Sequence, residues 1–236
     1  MMQKRWINIC CYFMSILGLS SNVSAQIFKI QEGSHHYDAI LNVECQQQSC
    51  EGKAKITLYK KGTHQQVQTF QSDELTMYLD KDFKPSVNII QLYNEQSPLI
   101  FNDFNFDETE DIAIRDGNYG AYGGPVYDVY VFNKTRKKFV LSTELSQLTQ
   151  ENLGMFQVDP KRKRIITFNK DGCCYHISSE YKVVPHKGLL LVREFIEDGT
   201  SLRGDQMKVT ERKLVAGKWV ESTKNYPLEQ YYQSSK

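Results

Sequence analysis

The residues with the clearest chemistry in this chain run Asp103-Phe-Asn105-Phe-Asp107-Glu-Thr109-Glu-Asp111. Oxygen-bearing side chains recur at alternate positions and again at the ninth, and an apolar run, Ile112-Ala-Ile114, follows at once. A hard cation such as calcium takes six to eight oxygens at about 2.3–2.6 Å, and a tight acidic loop spaced in this way supplies most of them. The spacing assigns Asp103, Asn105, Asp107 and Asp111 as side-chain ligands and Thr109 as a backbone-carbonyl ligand, with calcium the expected ion. Phe104 and Phe106 alternate with these residues and are expected to point inward. The pattern is not that of a helix–loop–helix calcium site, because Ile114 stands where the bidentate Glu would be. Glu108 occupies the sixth position, where glycine usually makes the turn. The plainer alternative is an acidic surface turn without metal. Against it, Asp103, Asp107, Glu108, Glu110 and Asp111 crowded together with no countercharge would repel one another.

The next stretch, Asp116-Gly-Asn-Tyr119-Gly-Ala-Tyr122-Gly-Gly-Pro125-Val-Tyr127, is too rich in glycine for a strand. Tyr119 and Tyr122 lie between the glycines and are the candidate partner-binding residues. Large amphipathic rings on an exposed loop make good anchors because little side-chain entropy is lost per area buried. The alternative is that the rings fold back over the sheet. A phosphate cradle is not indicated, since no Lys and no following helix complete that pattern.

The elements that must hold these loops are strands. Apolar and polar residues alternate in Ala54–Tyr59, Val87–Ile90, Tyr127–Phe132, Arg164–Phe168, Leu189–Phe195 and Met207–Thr210. Turn formers separate the runs, at Lys61-Gly62, Asn133-Lys-Thr, Asp159-Pro160, Asp171-Gly172, Lys187-Gly188, Asp198-Gly199 and Ala216-Gly217. The spacing predicts an all-β chain of antiparallel sheets, as a sandwich, barrel or propeller. One short helix is expected near Thr143–Leu153, with Leu145, Leu148 and Leu153 toward the core. No Pro/Ser linker divides the chain, so residues 26–236 are read as one β-rich domain.

Residues 1–25 read as a cleavable export signal. Lys4 and Arg5 precede a largely apolar run from Ile7 to Leu19, and Val23-Ser-Ala25 is a small-residue cleavage site. The run is shorter than the ~20 residues of a spanning helix. No membrane insertion is therefore expected after cleavage. Removing Lys4 and Arg5 from 29 basic residues leaves 27 against 28 acidic ones, a formal charge of −1. That balance gives no footprint for nucleic acid. Four cysteines survive processing: Cys45, Cys50, Cys173 and Cys174. An even number in an oxidising compartment indicates two disulfides. Cys45–Cys50 and the neighbour pair Cys173–Cys174 are favoured, and crossing between the two pairs stays open.

Other candidates are weaker. His35-His36 reads as a solvated pair, and His176 as a strand residue beside the Cys173–Cys174 bridge. No Ser/His/Asp motif, paired-carboxylate helix or nucleotide loop is present, so no enzymatic activity is expected.

The run Asp103-Phe-Asn-Phe-Asp107 with Asp111, Asp116-Gly-Asn118, Tyr122-Gly-Gly-Pro125, Tyr127-Asp-Val-Tyr130, Leu153-Gly154, Phe156-Gln-Val-Asp159, Lys163-Arg164 and Gly172-Cys-Cys174 resembles a known family. It is that of exported proteins similar to the periplasmic immunity protein of the Xanthomonas type IV secretion lysozyme effector. The resemblance covers residues 98–197, and Cys45, Cys50 and Gly52 fit more loosely. It implies a periplasmic, calcium-binding, β-propeller-like protein that inhibits a lysozyme-like peptidoglycan hydrolase. The acidic loop also resembles those of integrin-type propeller (FG-GAP) repeats. With such a target, the basic turn Lys161-Arg-Lys-Arg164 would be a candidate for steering toward catalytic carboxylates. The competing readings are a calcium-dependent glycan- or surface-binding adhesion module and, without a motif to support it, a hydrolase.

Overall fold

The structure is a computed structural model, and it describes residues 24–185, 187–200 and 205–234. The expected export signal lies outside these residues except for Ser24 and Ala25. Among the described residues no helix is long and apolar enough to cross a membrane.

The chain forms three antiparallel sheets, each a meander of strands consecutive in sequence. The first contains β1 (Ser24–Ile30), β2 (Tyr37–Gln46), β3 (Ser49–Lys60) and β4 (Gln66–Tyr78). The second contains β5 (Leu99–Asn102), β6 (Asp111–Arg115), β7 (Tyr127–Asn133) and β8 (Lys138–Leu141). Helix α1 (Thr143–Glu151) then leads to the third, made of β9 (Gln157–Asp159), β10 (Arg164–Asp171), β11 (Tyr175–Val184), β12 (Gly188–Asp198), β13 (Gln206–Val215) and β14 (Lys218–Pro227). A short helix α2 (Leu228–Ser234), absent from the sequence expectation, ends the described chain. The all-β expectation therefore holds in three sheets. Neither a closed barrel nor a ring of blades is seen among the described residues.

The second sheet lies between two apolar cores, and this is what fixes the candidate loops. Ile112 and Ile114 of β6 pack with Leu99, Phe101 and Phe139 against the first sheet. Ala113, between them, faces the other way and joins Tyr127, Val129, Leu145, Leu148, Phe156 and Ile165, from β7, α1, the segment leading into β9, and β10. Burial on both faces explains why β6 reads as a continuous apolar run and not as an alternation. Helix α1 starts at Ser142, whose hydroxyl accepts from the Leu145 amide. Its buried Ser146 and Thr149 hydroxyls accept from the Val129 and Tyr127 amides of β7, so donors that the short β8 leaves unpaired are satisfied.

One expected strand is absent. Val87–Ile90 makes only isolated bridges, Val87 to Leu99 and Ile90 to Gln96. Asn88 takes a left-handed backbone conformation (φ 61°), and its side chain donates to the Gly33 carbonyl and accepts from the Phe101 amide. A turn former in αL with both ends of its amide engaged breaks the alternation. The two favoured disulfides are both present: Cys45–Cys50 joins β2 to β3, and Cys173–Cys174 lies in the β10–β11 turn.

Candidate functional site

The acidic loop connects β5 to β6. Asx-type turns shape it: the Asp107 amide donates to Asp103 and Asn105 at 3.0 Å each, the Glu108 amide to Asp103 at 2.8 Å, and the Thr109 amide to Asp107 at 2.9 Å. Phe106 and Glu108 are both left-handed, with φ of 60° and 69°. The position expected to prefer glycine does adopt the conformation that glycine allows at no steric cost. Phe104 is fully buried and meets the Phe156 ring edge-on at 5.5 Å, as its inward assignment requires. Phe106 is only partly buried against the same core.

Asp111 is 0% exposed. One of its oxygens accepts from the Phe104 amide at 2.9 Å and the other from the Phe132 amide at 2.8 Å, clamping the loop and β7 to the start of β6. Its carboxyl is pushed up to about 7, chiefly by burial and also by the charges of Asp103 and Asp107, against the two amides that pull it down. Glu110 accepts from the Ser34 hydroxyl, which ties the loop to the β1–β2 turn, and Lys134 donates to the Asp107 carbonyl. The crowd of carboxylates is thus partly compensated by protein donors, which the sequence argument for a cation did not foresee.

The donor set, three carboxylates and a carboxamide on one tight loop, fits a hard cation in composition. Asn105 and Asp107 meet head to head, the amide nitrogen donating at 3.2 Å. Even so, no group of three His, Cys, Asp or Glu side chains is gathered as a metal site among the described residues. The side-chain heads are turned onto the loop's own amides and would have to turn inward to hold an ion.

The tyrosine loop leaves the other end of β6 and returns in β7. Asp116 anchors it, one carboxylate oxygen accepting from the Ser72 hydroxyl at 2.8 Å and from the Asp73 and Glu74 amides at 2.7 and 3.2 Å. The Asn118 side chain accepts from Arg115 and donates to Thr76. A tight turn closes the tip, with the Gly120 and Gly124 amides donating to the carbonyls of Gly124 and Ala121. Gly120 is packed so closely that a Cβ there would lie 3.1 Å from the Gly124 carbonyl and 3.3 Å from that of Thr149.

Tyr119 and Tyr122 are 60% and 61% exposed, so neither folds into the interior. Tyr122 has a left-handed backbone (φ 56°), and its hydroxyl accepts from the Gly172 amide at 2.7 Å. That bond ties the loop to the β10–β11 turn, next to Cys173–Cys174. Burial, followed by the charges of Asp116, Asp128 and Glu74, raises the Tyr119 phenol above its ordinary value.

The structure therefore gathers the acidic residues at one end of β6 and the tyrosines at the other. Sequence reading placed Asp116 and Gly172 in turns without seeing their roles and did not single out Lys170, because those roles arise from contacts between distant segments. His35 and His36 are exposed in the β1–β2 turn. In the basic turn, Arg162 is paired with Asp159 at 2.6 Å and Glu180 at 2.9 Å, which leaves less free charge for steering than the sequence indicates.

No family model and no curated protein matches the chain. Among solved structures it is similar to one described as a Xanthomonas type IV secretion system related protein. The TM-score is 0.60 at 20% identity, covering 86% of this chain and 100% of that one. At that identity the likeness is one of fold.

Proposed function

We propose that the chain is an exported, non-enzymatic inhibitor of the immunity type, which binds and occludes a lysozyme-like peptidoglycan hydrolase in the periplasm. The observation that carries this reading is the tyrosine loop. Two large rings stand more than half exposed on a backbone fixed by Asp116, by the Gly120–Gly124 turn and by the Tyr122–Gly172 bond. A pre-ordered protrusion loses little entropy on binding, and exposed aromatic rings are the side chains that most often dominate binding energy. The fold likeness to a type IV secretion related protein supports the same context, as do the residues shared with the immunity family. The three meanders, taken as blades, are the basis for a propeller-like description.

Calcium is part of the proposal. Asp103, Asn105, Asp107, Asp111 and the Thr109 carbonyl would hold it, and the ion would add to the compensation that the three carboxylates otherwise draw from backbone amides, the Thr109 hydroxyl and the Lys134 ammonium, 4.0 Å from Asp107. Its effect falls on the stability of the second sheet, and it makes no direct contact with the tyrosines.

The test is capture of purified lysozyme-like hydrolases from a spiked periplasmic extract by the immobilised protein, with peptidoglycan turnover by the protein alone as control. One retained hydrolase and no turnover are expected. Retention of glycan with no hydrolase present would favour an adhesion module, and turnover by the protein alone would make it an enzyme.

A further inference from the structure

We infer that the docking surface extends beyond the tyrosine loop to Lys170 and Tyr93, with Lys170 placed to meet a carboxylate in the partner's cleft. This rests on the hydrolase reading above. Lys170 stands near the end of β10, and its ammonium lies 4.6 Å from the centre of the Tyr122 ring and 4.9 Å from that of Tyr93. Tyr93 comes from a third segment, the turn before β5, where the Asn94 amide donates to the Gln91 carbonyl at 3.1 Å. Its ring is 58% exposed, and its backbone, like that of Tyr122, is left-handed (φ 65°). Three stretches distant in sequence thus converge on one cation framed by two outward-facing aromatic rings. Left-handed backbone at non-glycine residues is costly and concentrates at functional positions, though elsewhere in this chain it also serves ordinary turns.

The charge of Lys170 is uncompensated. Lys170 makes no ion pair with any described residue; the same holds for Lys182, Lys208 and Lys224 of the third sheet, but Lys170 is the one held over two exposed rings. Two rings hold the ammonium in place and displace part of its water, so an incoming anion meets a pre-positioned and partly desolvated cation. Tyr119 has the opposite setting, near Asp116, Asp128 and Glu74. The loop therefore has a cationic flank and an acidic flank. Enzymes that cut glycosidic bonds carry a pair of carboxylates across the cleft. Complementarity requires the Tyr122–Lys170–Tyr93 flank to face those carboxylates and the Tyr119 flank to lie away from them. The partner is thus an open cleft with acidic catalytic groups at its floor.

The experiment measures affinity for the captured hydrolase with Lys170→Gln, Tyr93→Ala and Tyr122→Ala, each checked by thermal melting. Lys170→Gln is expected to weaken binding about tenfold or more, mostly through faster dissociation, and to flatten the dependence on ionic strength. Against a hydrolase whose catalytic Glu is replaced by Gln, the same substitution should cost almost nothing. Wild-type affinity and salt dependence for Lys170→Gln, with binding lost in Tyr122→Ala, would overturn the role of Lys170 while leaving the hydrolase reading intact. Failure of the wild-type protein to bind any hydrolase would overturn both.

Discussion

The Tyr122 ring is exposed while its hydroxyl is already engaged by the Gly172 amide, so the residue acts as anchor and as brace. Tyr122→Phe separates the roles. It keeps the ring over Lys170 and loses one neutral hydrogen bond, of about 1 kcal/mol, so inhibition should weaken no more than about fivefold. Tyr122→Ala removes the ring and should cost tenfold or more. Equal losses in the two variants would mean that bracing matters and the ring surface does not. In the acidic loop the conformation of Glu108 makes a second prediction. A side chain at φ 69° costs roughly 1 kcal/mol relative to glycine, so at an m-value of about 1–3 kcal/mol/M Glu108→Gly should raise the urea midpoint by about 0.3–1 M. A lower midpoint would show that the Glu108 side chain makes a compensating interaction.

At the scale of elements, β6 decides what the two loops can do for each other. It has five residues, so at about 3.3 Å per residue its ends lie on the order of 15 Å apart. A cation bound by Asp103, Asp107 and Asp111 can reach Tyr122 only through the stiffness of a strand packed on both faces. Chelation should therefore act on stability before it acts on binding. An ion at 100 times its Kd stabilises the folded state by about 2.7 kcal/mol, which in a domain of this size is a Tm shift of about 5–10 °C. Calorimetry in calcium and in chelator checks this, and inhibition well below the melting range should survive chelation. An unchanged Tm would mean that the loop holds no calcium and that its amides, Ser34 and Lys134 compensate the carboxylates without an ion.

For the whole molecule, the elements most legible in the sequence were those whose signal is local. Period-two runs and Gly-containing turns marked β3, β7, β10, β12 and β13, and the Thr143 helix showed in Leu145 and Leu148, although it ends at Glu151, before Leu153. The spacing of Cys45 and Cys50 anticipated their bridge. The acidic and tyrosine loops were legible as chemistry, because Asp, Asn, Gly and Tyr have strong intrinsic meaning in turns. What could not be read was set by distant contacts: the layering of the second sheet between two cores, the break at Asn88, the clamp of Asp111 on Phe104 and Phe132, and the meeting of Tyr93, Lys170 and Tyr122. The placement of the two loops at opposite ends of β6 depends on strand pairing, which no spacing along the chain records.

The central claim is that a fixed, tyrosine-bearing loop blocks a hydrolase cleft, and its most direct test is peptidoglycan turnover by the captured hydrolase titrated with wild-type protein and with Tyr119→Ala/Tyr122→Ala. Wild-type protein should abolish turnover at a one-to-one ratio, and the double variant, melting within a few degrees of wild type, should leave it nearly complete. Equal inhibition by the two proteins would contradict the claim.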